Sequence, residues 1–347
     1  MRFAFDDEQE EIKRSARDLL ARRAPLERVR AAAQERAYDE ALWREIVELG
    51  WPGLAIGEAH GGVGLGLVEL VAVLEQVGYA LTPSPLVADV CAALVIDLAG
   101  RDEQRARWLP GIASGEQTAT VARVRDGVAA AVPDAERAAA IVLVGDDGSA
   151  RVVPAQEARV EPYDGIDLTR RWARVQVAAE AGEPLAGDVA GGLQRAEVAL
   201  AAELTGLAQR ALDMTVAYVK ERKQFGRPVG AFQGVSHRCA EMLALTEAAR
   251  SATYFAAWAA DADRAQLPAA SAMAKASAAS AARRVAAMAI QAHGGIGFTW
   301  EADVHWIFKR AHASAAQLGS GDEHRRSVAR LAAQRLRDAA APSRVTA

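Results

Sequence analysis

Two short stretches carry the residue types that hold anions and coenzymes. Arg222-Lys-Gln-Phe-Gly-Arg-Pro228 gathers Arg222, Lys223 and Arg227 around an aromatic ring, where glycine and proline interrupt the chain. Guanidinium forks match phosphate oxygens in pairs, and glycine leaves backbone N–H groups bare, so the segment predicts a phosphate or pyrophosphate contact. A solvated basic loop is the plainer alternative. Gln291-Ala-His-Gly-Gly-Ile-Gly-Phe298 is the second stretch, and its glycines let a ligand approach the backbone closely. It reads equally as a helix C-cap. It is not a dinucleotide fingerprint, since no strand precedes it and its glycines miss the G-x-G-x-x-G spacing.

Other chemistries lack their spacing. His60, His237, His293, His305, His312 and His324 form no H-E-x-x-H or Glu-x-x-His pair, so they are expected to cap, pack or face solvent rather than bind a metal. There is no G-x-S-x-G elbow, P-loop or cysteine-nucleophile signature. Gly57-Glu-Ala-His-Gly-Gly-Val-Gly-Leu-Gly66 reads as a turn.

The elements that must position the two stretches follow from periodicity. Residues 6 to about 112 place apolar side chains at intervals of three and four, as Leu42, Ile46 and Leu49 do, which predicts helices. Between Gly111 and Gly192 short β-rich runs take over. Ala140-Ile-Val-Leu-Val144 and Ala150-Arg-Val-Val153 flank an Asp-Gly turn, and Val175-Gln-Val177 suggests another strand. Prolines at 133, 154, 162 and 184 interrupt this segment, so a small, eroded β-domain is expected. From Leu193 onward helices return. Leu200, Leu204, Leu207, Ala211, Met214 and Tyr218 line one face of a helix of about 25 residues, which Gly226 and Pro228 close. Alanine-rich segments at 233–262 and 269–293 suit a tight bundle or a helix-mediated oligomer interface. The expected division is a helical domain over 1–112, a reduced β-domain over 113–192 and a helical bundle over 193–340, with a frayed tail after Arg337.

Composition bounds the function. With 347 residues the chain holds two or three domains of about 150 residues each. Its 51% hydrophobic and 25% charged residues describe a globular protein rather than a disordered or disulfide-built one. A net charge of −4 argues against a nucleic-acid or anionic-membrane footprint. No apolar run approaches the ~20 residues of a spanning helix. The start lacks a signal-peptide pattern, and Cys91 and Cys239 are far apart, which together predict a cytoplasmic, reducing location.

Taken in order, these features resemble the acyl-CoA dehydrogenase family. The likeness is specific at Glu221-Arg-Lys-Gln-Phe-Gly-Arg-Pro228, continuing to Phe232-Gln233 and His237-Arg-Cys-Ala-Glu-Met242. It is specific again at Gln291-Ala-His-Gly-Gly-Ile-Gly-Phe-Thr-Trp-Glu301 and weaker at Glu58 to Gly66. It covers nearly the whole chain. The resemblance implies a mainly α fold with a helical N-terminal domain, a middle β-domain and a C-terminal four-helix bundle. It also implies FAD as cofactor: a glutamate takes the α-proton of an acyl-CoA thioester while the β-hydrogen leaves as hydride, giving a trans-2-enoyl-CoA. An electron-transferring flavoprotein usually accepts the electrons.

Carried over residue by residue, Arg222, Gln224, Phe225, Phe232 and Gln233 match family contacts to the adenosine-pyrophosphate part of FAD, and Gln291, Gly294 and Gly295 match a second group. In the family these reach across a subunit interface. Other features are missing. Neither the Thr-Glu-Pro-x-x-Gly-Ser-Asp stretch nor the aromatic-Ile-Thr strand that cradles a subunit's own flavin is found; Gln117-Thr-Ala-Thr-Val-Ala-Arg-Val-Arg-Asp126 follows Glu116 instead. Alignment from Arg310 sets Leu318-Gly319-Ser320 against the Tyr-Glu-Gly of the base, and the alternative base position is Ala196. Glu197 is a neighbour turned by ~100° on a helix, and Glu323 lies near the other position; these are the two candidates for a displaced base.

The resemblance therefore implies the short subunit of a heteromeric enzyme, one that completes the FAD site of a larger catalytic partner acting on a bulky acyl-CoA. The alternatives are a self-sufficient homomeric dehydrogenase with a displaced base, a flavin oxidase or monooxygenase on the same scaffold, and a non-enzymatic scaffold.

Overall fold

The computed structural model describes residues 5–340. Six helices open the chain: α1 Asp7–Arg23, α2 Leu26–Glu35, α3 Glu40–Glu48, α4 Leu67–Tyr79, α5 Leu86–Ala99 and α6 Asp102–Ala113. Their starts are encoded locally. Asp6 accepts from the Gln9 amide while Gln9 reaches back, a capping box for α1, and Asp39 accepts from the Ala41 and Leu42 amides at the start of α3. α4 and α5 are apolar on nearly every side because other helices surround them.

Seven strands follow: β1 Thr118–Arg123, β2 Val128–Pro133, β3 Ala138–Val144, β4 Ala150–Pro154, β5 Ala158–Tyr163, β6 Trp172–Val177 and β7 Glu183–Leu185. They form a four-stranded sheet ordered β1-β3-β4-β7 and a three-stranded sheet ordered β2-β6-β5. β1 and β3 run parallel, with Thr120 opposite Ile141. The region is thus richer in strands than its sequence suggests. Alanine-rich β1 and β2 carry little β-propensity and are held by pairing and burial. β5, which contains Pro162, sits at a sheet edge where a missing N–H is tolerated.

α7, Val189–Glu221, is a helix of 33 residues, longer at its N-terminal end than the apolar stripe alone indicates, because Asp188, twelve positions before Leu200, caps it by accepting from the Gly191 amide. The hairpin β8 Lys223–Gln224 and β9 Arg227–Pro228 links it to α8, Gln233–Ala262. α9 Leu267–His293, α10 Val304–Ala316 and α11 Gly321–Ala340 complete the bundle. α11 continues past Arg337, where fraying was expected; the remaining tail lies outside the described residues. α4 and α7 cross so closely that a Cβ on Gly206 would stand 1.9 Å from the Glu75 carbonyl oxygen, which is why glycine is needed there.

A buried ionic cluster ties the three regions together. The Arg310 guanidinium donates to the Thr82 carbonyl at 3.2 Å and lies 3.2 Å from Glu203 and 3.6 Å from Asp167. Arg170 bonds the same Glu203 and the Ser314 hydroxyl. Such clusters cost desolvation but fix geometry, because removing one charge strands the others. Among the described residues no helix is long and apolar enough to cross a membrane, and no group of three or more His, Cys, Asp or Glu could hold a metal.

Candidate functional site

Two places in the fold hold the residues with chemistry to offer. The first is one end of the bundle. Phe225 takes a left-handed φ of +51° and Gly226 one of +78°, so the tight β8–β9 turn presents the Phe225 ring to solvent, 93% exposed. Phe232 meets that ring edge-on at 6.2 Å, and the Arg227 guanidinium lies 4.1 Å over Phe232. Arg222 is exposed and has no ion-pair partner among the described residues. The Gln224 amide donates to the Lys223 carbonyl, and Gln233 is exposed as the first residue of α8.

The glycine-rich stretch arrives at the same end. The Tyr218 and His293 rings stack at 4.4 Å, and the Tyr218 hydroxyl donates to the His293 carbonyl at 3.3 Å, joining the last turns of α7 and α9. Gly294 caps α9 with φ +66°, so the C-cap reading of this stretch holds. The cap is also bare: a Cβ on Gly294 or Gly295 would meet nothing within 4 Å. Gln291 beside them is exposed.

The second place runs from the interior, at Lys275 and His324, out to exposed Arg123 and Glu323. Glu197 and Glu323, the two candidates for a displaced base, both lie around the Leu318–Ser320 segment. Arg123, the last residue of β1, pairs with Glu323 at 2.9 Å and donates to the Leu318 carbonyl at 3.2 Å. Lys275, fully buried on α9, donates to the Ala315 and Gly319 carbonyls at 3.1 and 3.2 Å. A Cβ on Gly319, whose φ is +110°, would stand 2.8 Å from Arg123 Nη2 and 3.0 Å from His324 Nε2. His324 Nδ1 is 3.9 Å from Glu197. Burial holds His324 down to about 4, so it is neutral and this contact is no ion pair. Burial pushes Glu197 up to about 7 and lowers Lys275 to about 8. Hydrogen bonds from Ser320, with the Arg123 charge, hold Glu323 down at about 2. Glu323 is therefore ionised and spent on capping α11.

The two places are far apart. Twenty-five residues of α7 separate Glu197 from Arg222, a span of about 37 Å at 1.5 Å per residue. A group held at the hairpin end cannot react beside Glu197 of the same chain.

Family models for the acyl-CoA dehydrogenase N-terminal and C-terminal domains match residues 6–116 and 186–333. The chain is 38% identical over 327 residues to acyl-CoA dehydrogenase IpdE2 of Mycobacterium tuberculosis, covering 91% of this chain and 95% of that protein. It belongs to the acyl-CoA dehydrogenase family. Two solved structures share its fold with a TM-score of 0.87: the Tcur3481-Tcur3483 steroid ACAD G363A variant, 30% identical over 95% of this chain and 99% of that one, and the ChsE4-ChsE5 complex from Mycobacterium tuberculosis, 26% identical over 96% and 99%. Members of the family are FAD-dependent oxidoreductases acting on CH–CH bonds.

Against that cofactor the two places differ. The unpartnered Arg222, the exposed rings and the bare Gly294–Gly295 backbone suit a pyrophosphate and an adenosine. The β region is joined by short connections. The β1–β2 connection is only residues 124–127, pinched by the Arg125–Val128 bridge, and the β2–β3 connection is residues 134–137, closed by the Arg137 amide on the Asp134 carbonyl at 3.1 Å. Sequence reasoning missed Arg123 and Lys275, since nothing in a lone cation says what it will meet.

Proposed function

We propose that this chain completes the FAD site of a catalytic companion within a heteromeric acyl-CoA dehydrogenase, whose complex converts an acyl-CoA thioester to the trans-2-enoyl-CoA. One observation carries the reading: the groups suited to a coenzyme's adenosine-pyrophosphate end are open at the hairpin, while the space beside Leu318–Ser320 is filled by Arg123, Lys275 and His324. Bound FAD supplies the hydride acceptor. Arg222 pairs with the pyrophosphate, Phe225 and Phe232 shield the adenosine, and Gln224, Gln233 and Gln291 offer amide hydrogen bonds. Gly294 and Gly295 let the backbone close on the ligand.

The two-component names of the similar structures support this reading, and the word steroid in one of them supports a bulky acyl group. The companion then contributes the flavin cradle and the base, and an electron-transferring flavoprotein accepts the electrons. The organisation over 1–112, 113–192 and 193–340 and a cytoplasmic location accompany the same proposal.

The test is to purify the chain alone and with its companion, measuring FAD per protomer and enoyl-CoA formation. Flavin and turnover appearing only in the complex are expected. A yellow, active lone chain overturns the reading. It would instead favour a homomeric enzyme with Glu197 as base, for which a carboxyl near 7 is well matched to proton abstraction; Glu197→Gln would then abolish turnover.

A further inference from the structure

A cavity of about 270 Å3 opens where α1, α2, α4 and α7 meet. None of the residues at the hairpin end or around Leu318–Ser320 lines it. Its size falls just under the ~300 Å3 at which sites for drug-sized ligands begin, so its ligand is small.

The lining combines an apolar floor with unspent cations. Leu20 and Ala21 of α1, Leu26 of α2 and Ala80 at the end of α4 form the floor. Arg17 of α1 and Arg210 of α7 line the same space, and neither has an ion-pair partner among the described residues. Arg17 spends its Nε on the Gln76 side-chain oxygen at 3.1 Å. The Arg210 guanidinium lies 5.1 Å over the Tyr79 ring, and its Nε is buried without a hydrogen bond among the described residues. The acids close to Arg210 are engaged elsewhere. Asp213 accepts from the Tyr79 hydroxyl at 3.0 Å and from the Gln209 amide at 2.8 Å, and Asp303 pairs with Arg30 at 3.2 Å. Glu27, the acid in the lining, turns out toward Arg30 at 3.6 Å with its side chain 74% exposed.

α2 adds a third feature. It begins after Pro25 with no side-chain cap, so the first-turn amides of Leu26 and Glu27 remain for another acceptor. Unspent guanidinium donors and an uncapped helix start both favour an anion. The floor beside them favours an alkyl chain. A wholly polar anion gains nothing from that floor, and an uncharged hydrocarbon leaves the donors unpaired.

We propose that this cavity binds a short aliphatic carboxylate, its head on Arg210 and Arg17 at the start of α2 and its chain over Leu20, Leu26 and Ala80. Arg210 and Arg222 are twelve residues apart along α7, about 18 Å, so the site is separate from the hairpin end. It stands whether or not the companion reading does.

The experiment titrates hexanoate, acetate, hexanol and inorganic phosphate separately into the full-length chain by calorimetry, with saturation-transfer NMR on the hexanoate methylene protons. Hexanoate is expected to bind more tightly than acetate by roughly two- to fourfold per added CH2, and more tightly than hexanol or phosphate. Arg210→Gln is expected to weaken hexanoate about tenfold or more. Arg159→Gln, exposed on β5 and outside the cavity, is expected to leave it unchanged. No hexanoate binding to the unaltered chain, equal affinity for hexanol or phosphate, or full affinity in Arg210→Gln overturns the proposal. Should Arg210→Gln fail to fold, Ala21→Phe carries the measurement. Ala21 is an exposed lining residue, so the larger ring fills the cavity from its open edge and removes no charge, and undiminished hexanoate binding there overturns the proposal as well.

Discussion

The hairpin end of the bundle and the pocket beside Leu318–Ser320 are built from the same kinds of residue and do opposite things. At the hairpin Arg222 faces water, and two glycines leave backbone uncovered. In the pocket Arg123 and Lys275 spend their hydrogen bonds on carbonyls of their own chain. A cation can recognise a ligand only if folding has not already given it a partner. The difference teaches that binding capacity here follows unspent donors, and stability follows spent ones.

Substitutions should therefore separate cleanly, stability on one side and affinity on the other. The largest expected effect is Lys275→Met, which strands Glu197 and two carbonyls in the interior and should cost about 3 kcal/mol, the low end of such losses because Glu197 can take up a proton. Chemical denaturation reads it, and a change below 0.5 kcal/mol would break the comparison. Next comes Arg222→Ala in the complex. FAD affinity should fall by about ten- to a hundredfold, as a charge-assisted hydrogen bond is worth about 1.5–3 kcal/mol, while the melting temperature stays put. Weakened folding with intact flavin binding would reverse the assignment. Gly319→Glu sharpens the contrast from the pocket side. A side chain at φ +110° against Arg123 should destabilise by about 1–3 kcal/mol and restore no turnover to the lone chain.

The smallest effect is a pH dependence. Glu197 is raised to about 7 in the fold from an ordinary 4.5. Between those values the unfolded chain gives up its proton first, so stability is lost as pH rises through that window and the loss is complete above 7. Lys275, lowered to about 8, penalises the fold below 8 and less as pH rises toward 10.5. Glu197→Gln should then gain melting temperature relative to the unaltered chain progressively from pH 4.5 to 7. Parallel profiles would show that Glu197 is not the group titrating.

Some of this was legible in the residues. The stripe from Leu200 to Tyr218, the α8 span at 233–262 and the helical first third follow from periodicity, because burial of one face is written directly into spacing. Strands β1, β2 and β5 were not, since Thr-Ala-Thr-Val and Val-Ala-Ala-Ala take extended form only when a neighbouring strand supplies hydrogen bonds. Rotation along α7 leaves Ala196 fully buried and Glu197 partly exposed. What Glu197 then faces depends on α9 and α11, whose Lys275 and His324 come from residues far along the chain.

The sequence by itself determined which side chains are available and how they repeat along each helix, for those are properties of composition and local geometry. Which cations remain free and which are consumed was decided by the tertiary structure, through the packing of β1 and α9 against the Leu318–Ser320 segment. A guanidinium in an unfolded chain has only water for a partner. Folding gave Arg123 a carboxylate and a carbonyl, and left Arg222 waiting at the surface.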